Sequence, residues 1–427
     1  MIMTGIETPK ALVVCCDGTW QKADNEYVSN VEKIARAVAP VGHAGEPQIV
    51  YYQRGVGSTG SRIERLLAGA VGIGLDDKIL DCYYFLALNY RPGDRISVFG
   101  FSRGAYTARS LIGMISYVGL LRHDALAGDH LRRANTVYRG RPARDAKPDA
   151  KRDAAQEAAR AEVRTHCYDA GVVRFDMLGV FDTVGALGVP GVTLAKYRFH
   201  DVDLSDQVSR ARQALALGER RRVFEPCLWG GEHRDIRQVW FDGVHLDVGG
   251  GYENCYYSDR SLLWMIGEAE QAGRLTASAD AASAGSRAGF DDYPGLRFDW
   301  SQIGPGLCTL GVPKHDSLKF GYRVANVLGR IRGLFHPARR GAEPPFVGGW
   351  RTLAPTVDTP KSPNGRAYDV RIESRAGAAA ANPNVQRWLD EVKGVLEAAG
   401  DPAELEHLGN LYVTVPDAAE LSAAASG

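Results

Sequence analysis

The chain has 427 residues, 45% of them hydrophobic and 24% charged, with Lys+Arg and Asp+Glu both at 51 and a formal net charge of zero. That length buries a large core, and the charge balance argues against a nucleic-acid binder, which needs a basic surface. Seven cysteines without a Cys-x-x-Cys pair argue against a disulfide or zinc framework, and residues 1–10 lack a charged-then-apolar leader, so a reducing, cytoplasmic setting is expected.

The apolar run Ala11–Cys16 reads as a buried strand. It stops at Asp17-Gly18-Thr19-Trp20, which is turn chemistry and, beside a nucleophile, a source of backbone N–H groups for an oxyanion. Residues 30–38 read as a helix, with Asn30 as its cap and Val31, Ile34, Ala35 and Val38 on one face. A second strand, residues 48–52, runs into the glycine-rich loop 54–60, which lacks the terminal Gly-Lys-Ser/Thr of a phosphate-binding loop. A helix is expected over 74–89, then a turn at Arg91-Pro92-Gly93-Asp94.

Residues 96–101 form a β-branched and aromatic run that ends in Gly100-Phe101-Ser102-Arg103-Gly104. Small, helix-tolerant residues follow at once. Strand, sharp Gly-x-Ser-x-Gly turn and helix make a nucleophile elbow, which lifts the serine hydroxyl clear of the sheet and aims a helix N-terminus at it. The helix continues over 106–122. Residues 123–165 are rich in Arg, Asp, Ala and Lys and are expected to bury little, as a charged insertion: a solvated connector or a lid. A strand within 171–182 ends at Asp182-Thr183-Val184-Gly185, and carboxyl ends of strands are where α/β folds place their chemistry. Residues 208–221 read as a helix through Ala211, Ala214, Leu215 and Leu217, with Arg220-Arg221-Arg222 as its solvated end. Ile236–Phe241 is the last clear core strand, and it exits into a loop carrying Asp242, His245, Asp247 and Gly249-Gly250-Gly251. A helix over 261–270 follows. Beyond 275 the pattern weakens to a C-terminal extension, 276–427, with a helix over 384–398, a late strand over 411–415 and a frayed tail.

Ser102, Asp182 and His245 thus arise in the order serine, acid, histidine, all at strand ends. A serine hydroxyl needs a base in hydrogen-bond reach, and the base an orienting carboxylate. Ser102 is the nucleophile of this reading and His245 the base. Asp182 is the preferred acid because it terminates its own strand, with Asp247 and Asp242 as alternatives. The oxyanion is expected at the N–H of Arg103 and one N–H from Gly18, Thr19 or the 54–57 loop. No cofactor or metal is called for.

Four ordered motifs carry a resemblance: Cys16-Asp17-Gly18-Thr19-Trp20, the elbow, Phe181-Asp182-Thr183-Val184-Gly185, and Gly243 to Tyr252 around His245. Over roughly residues 10–270 the chain resembles the bacterial α/β-hydrolase family that includes type VI secretion phospholipase effectors of the first lipase class. The resemblance implies an α/β-hydrolase fold, a mostly parallel sheet with helices on both faces, as a catalytic core over 10–275. It also implies esterase or lipase chemistry on an ester or phospholipid substrate, with a secretion or immunity partner. No run reaches the roughly 18 apolar residues of a membrane span, so membrane contact would be peripheral. Two other readings stand beside it: a binding module on a hydrolase scaffold, and a metal-dependent phosphoesterase using Asp17, His245 and Asp247.

Overall fold

The run Ala11–Cys16 forms strand β1, buried along its whole length. Side chains alternate across a strand, so Leu12, Val14 and Cys16 enter one core while Ala11, Val13 and Cys15 enter another. A strand apolar on both faces needs helices on both. The computed structural model describes residues 9–18, 27–55, 75–142, 149–169, 171–184, 204–221, 224–229, 235–271, 273–274, 292–293, 295–303, 346–347, 350–351 and 369–371. Within them, β1, β2 (Gln48–Gln53), β3 (Arg95–Phe101), β4 (Phe175–Phe181), β5 (Val208–Ala216), β6 (Ile236–Phe241) and β7 (Asp369–Arg371) form one sheet in the order 7-6-5-4-3-1-2. Every neighbouring pair is parallel. The architecture is α/β.

Helix α1 (Asn30–Ala37) packs on one face, with Val31 and Ile34 fully buried. Burying a side chain of that size contributes roughly 1.5–3 kcal/mol. Its cap is Ser29, whose Oγ accepts the Glu32 N–H at 3.1 Å. Asn30, expected as the cap, is instead the first helical residue. Its side-chain amide donates to the carbonyls of Val248 at 3.0 Å and Ser258 at 2.7 Å, tying α1 to the far end of the core. The opposite face carries α2 (Leu75–Asn89) and α3 (Arg103–Val118).

The charged stretch 123–165 carries two helices, α4 (His130–Arg139) and α5 (Ala150–Arg164), which dock against α3 through a few side chains while most of their residues stay exposed or half-buried. Val137, Tyr138, Val163 and Cys167 are buried there, and the Tyr138 hydroxyl donates to Ser110 O at 3.0 Å. Spaced apolar residues among many charges were enough to seat both helices.

The expected helix over 208–221 is corrected more sharply: Val208–Ala216 is an interior strand, β5, paired with β4 and β6. Its alanines suit a strand whose two faces are covered, and its polar Arg212 is buried in an ion pair with Glu268. The sheet also extends past β6, because residues 369–371 add β7 in parallel to it. The expected helix over 384–398, the strand over 411–415 and the tail lie outside the described residues, as does 56–60 of the glycine-rich loop. No described helix is long and apolar enough to cross a membrane. Six cysteines among the described residues are free thiols.

Strand order fixes where a ligand can enter. From β1 the chain goes to β2 on one side and returns to β3 on the other, so the β1–β3 boundary is a topological switch point. Crevices in open α/β sheets open beyond the carboxyl ends of the strands at such a point. Gly18 follows β1 and Ser102 follows β3.

Candidate active site

Ser102 caps α3 with φ 57° and ψ −118°, a strained backbone for a residue with a side chain. Two things hold it there. Its N–H donates to Phe181 O at 3.0 Å, and the chain crosses β1 so closely that a Cβ on Gly104 would sit 2.1 Å from Cys16 O. Glycine at that position is a steric requirement of the elbow. The β1 exit comes equally near from the other side: a Cβ on Gly18 would lie 3.3 Å from Ser102 Cβ.

Asp182 follows β4, also at positive φ, 38°, and is fully buried. Its Oδ1 accepts the Ala216 N–H at 3.0 Å, so the end of β5 aims its carboxylate. Its Oδ2 lies 2.6 Å from His245 Nδ1, and His245 Nε2 lies 2.8 Å from Ser102 Oγ. One imidazole therefore bridges the elbow serine and the strand-end acid.

His245 opens a short helix, α6 (His245–Gly249), where a loop was expected. Asp247 Oδ2 accepts the Val244 N–H at 2.9 Å and fixes the first turn, while Asp242 Oδ1 accepts the Gly243 N–H at 3.0 Å. These local bonds are where the structure puts the two alternative acids. Gly249 lies against Phe101, whose ring would be 1.9 Å from an added Cβ. The same ring sits 4.7 Å from the imidazole, centroid to centroid, and Phe224 meets it edge-on at 4.8 Å.

Sequence reasoning missed the group behind the histidine. Glu219, fully buried, accepts the His245 N–H at 3.3 Å and takes the Arg221 guanidinium through both oxygens, at 2.8 and 2.7 Å. The guanidinium then lies 3.8 Å from the Phe224 ring centre. Arg221 is thus a half-buried clamp, not the solvated helix end expected; Arg222 lies outside the described residues. The available signal is an acid three residues past a strand, hidden because the alanines of that strand fit a helix equally well.

Electrostatics favour a neutral imidazole. Burial pulls His245 below its ordinary 6.5; the bond to Asp182 and its charge pull upward, and Arg221 pulls down again. Asp17 is shifted the other way. Burial raises its carboxyl to about 6, although Ser29 Oγ, Tyr52 Oη and the Gly18 N–H all donate to it, at 2.6, 2.6 and 2.7 Å. This corrects the expectation for Gly18: its N–H is committed to Asp17, so it contributes close approach rather than an oxyanion donor. Thr19 lies outside the described residues. Arg103 N–H, at the first position of α3, points from a helix N-terminus, where anions are favoured. The metal reading of Asp17, His245 and Asp247 finds each of them bonded elsewhere, and among the described residues no group of three or more ligating side chains is placed to hold a metal ion.

A family profile described as the type VI secretion system phospholipase effector Tle1-like catalytic domain matches residues 10–268. The chain belongs to the Tle1-like phospholipase effector family. It is a hydrolase-family catalytic domain by that membership. A Saccharomyces cerevisiae protein described as uncharacterized, YEL023C, is 31% identical to this Tle1-like chain over 229 residues, 51% of this chain and 32% of the yeast protein. The chain thus spans about a third of that relative's length. Two solved structures are similar at low identity. One is an uncharacterized protein from Pseudomonas aeruginosa, 17% identical, covering 61% of this chain and 46% of the other, with a TM-score of 0.39. The second is the Tle1 effector bound to the VgrG spike of the type 6 secretion system, 18% identical, covering 58% and 52%, with a TM-score of 0.34.

Proposed function

We propose that this protein is a serine hydrolase that cleaves carboxylic ester bonds of phospholipids through an acyl-enzyme on Ser102. The observation that carries the reading is the hydrogen-bonded line Ser102 Oγ–His245–Asp182. Family membership supports the phospholipid as substrate class.

With Nδ1–H donated to Asp182, the Nε2 lone pair faces the serine hydroxyl and takes its proton as Oγ attacks the carbonyl carbon. The negative charge that develops on the carbonyl oxygen is met by the Arg103 N–H, a donor of a kind whose removal costs about 10²–10³ in rate. Asp182 stabilises the imidazolium. Collapse breaks the ester C–O bond, and His245 returns the proton to the leaving alcohol. A water deprotonated by His245 then cleaves the acyl-enzyme, releasing the carboxylate and restoring Ser102.

The test is covalent labelling of the full chain with a fluorophosphonate, followed by mapping of the modified peptide. Modification of Ser102 is the expected result. A folded chain that stays unlabelled, or that labels elsewhere, would shift the reading to a binding scaffold.

The pH dependence follows from the site. Only neutral His245 acts as base, and its pKa lies below the ordinary 6.5. On an uncharged ester, kcat/KM should be flat from pH 7 to 8 and fall with acid through a midpoint under 6.5. Asp17, titrating near 6 beside the elbow, adds a second ionisation that Asp17→Asn removes while the His245 limb stays. A midpoint above 7 would mean that the charge of Asp182 outweighs burial.

A further inference from the structure

The reaction above uses only the backbone of Arg103. Its side chain is a cation that nothing neutralises. Among the described residues the guanidinium makes no ion pair, hydrogen bond or ring contact. The residue is half-buried, yet none of the guanidinium nitrogens is sealed from solvent. Burial alone lowers its pKa, to about 10, and no carboxylate offsets the charge.

Other arginines of this fold are provided for. Arg95 pairs with Glu46, Arg210 with Asp235, Arg212 with Glu268 and Arg221 with Glu219. Arg109, also lowered to about 10 by burial, donates to Cys227 O and lies against the Trp229 ring. Arg103 has neither an acid nor a carbonyl.

Its place in the chain makes that costly. Arg103 is the first residue of α3, and no acid stands in the first turn. A helix N-terminus favours anions, so the dipole and the loss of water oppose the same charge. Local conflicts of this kind are expected where function requires them. Consecutive Cα atoms lie about 3.8 Å apart, so the guanidinium stays within one side chain's reach of Ser102. What is missing beside the nucleophile is an anion, and an anion that arrives with the substrate would fill the place.

We propose that the Arg103 guanidinium binds the phosphate of a phospholipid substrate and so selects phospholipids over uncharged esters. The inference deepens the proposed function and rests on it for the identity of the substrate. A guanidinium offers N–H groups in a fixed fork that matches phosphate oxygens. In a glycerophospholipid the phosphate is carried on a glycerol carbon next to one that bears an ester. A cation one residue from the nucleophile is therefore in reach of the phosphate while Ser102 meets the carbonyl. An uncharged ester brings no such group and leaves Arg103 unpaired.

Two soluble substrates with the same acyl chains test it, dihexanoylphosphatidylcholine and dihexanoylglycerol, each below its micelle concentration. The full chain should favour the phospholipid in kcat/KM by about tenfold or more, the scale of one charge-assisted hydrogen bond. Arg103→Gln should remove most of that preference, chiefly by raising KM for the phospholipid. Arg103→Lys keeps the charge without the fork and should recover part of it. The unfolding midpoint of Arg103→Gln should hold or rise, because a desolvated charge without a partner is gone; an arginine that served the fold would lower it.

An unchanged preference in Arg103→Gln, with both substrates still turned over, overturns the inference and leaves the proposed function standing. Binding without turnover separates the two further. Titration calorimetry of dihexanoylphosphatidylcholine into the Ser102→Ala chain should show saturable binding, weakened about tenfold or more when Arg103→Gln is added. Equal binding by the two chains overturns the inference. Arg103-dependent binding with no hydrolysis by the unaltered chain would count against the catalytic reading and keep the phosphate site.

Discussion

Ser102→Ala should lower kcat for ester hydrolysis by about 10⁶-fold, the loss seen when a serine hydrolase is stripped of its nucleophile. The estimate rests on what the substitution leaves alone. Alanine keeps the β-carbon that packs near Gly18, and it occupies the same strained φ of 57°, at a similar cost of about 1–3 kcal/mol. His245 keeps its bond to Asp182, and the Arg103 N–H stays at the head of α3. What disappears is the one oxygen that His245 Nε2 can deprotonate, 2.8 Å away. Steady-state hydrolysis of a neutral ester, with the unfolding midpoint as a control, measures the effect. A folded variant retaining more than about 1% of the rate would mean that Ser102 is not the attacking group.

Asp182→Asn should cost about 10⁴-fold in kcat with little change in stability. Asparagine tolerates the positive φ of 38° at this position, and its carbonyl oxygen can still accept the Ala216 N–H. Its NH₂, however, faces His245 Nδ1. The ring proton is then driven to Nε2, which meets the serine hydroxyl as a donor instead of a base. Asp182→Ala would mix this effect with an unfilled backbone donor, so asparagine is the cleaner change. Single-turnover acylation rates report it directly. A loss under tenfold would hand the acid role to another carboxylate, and Asp247→Asn and Asp242→Asn would then identify it.

Much of this site was readable because its chemistry is tied to steric demands that leave marks in sequence. Gly100-Phe101-Ser102-Arg103-Gly104 announces a turn that only small flanking residues permit, and β1 and β3 announce themselves as apolar runs. Residues whose roles depend on distant partners left no such mark. The alanines of β5 satisfy a helical pattern equally well, and pairing with β4 and β6 decided otherwise. That one misreading hid three things together: the Ala216 N–H that aims Asp182, the Glu219 that holds His245, and the Arg221 clamp. Asn30 is a similar case. A cap and a long-range tie look alike in sequence, and only the fold shows its amide reaching residues 248 and 258. The short strand β7 gave too few residues for any periodicity.

The tie made by Asn30 also bears on when, during synthesis, the chemistry begins. Serine and histidine are 143 residues apart in sequence, and Asn30 waits for partners 218 and 228 residues downstream. A nascent chain can therefore present Ser102 and Asp182 long before it contains His245, and the segment bearing His245 is fastened to α1 only when α7 (Tyr256–Glu270) has left the ribosome. On the proposed mechanism, translation order thus withholds His245 from Ser102 until the catalytic domain is nearly complete.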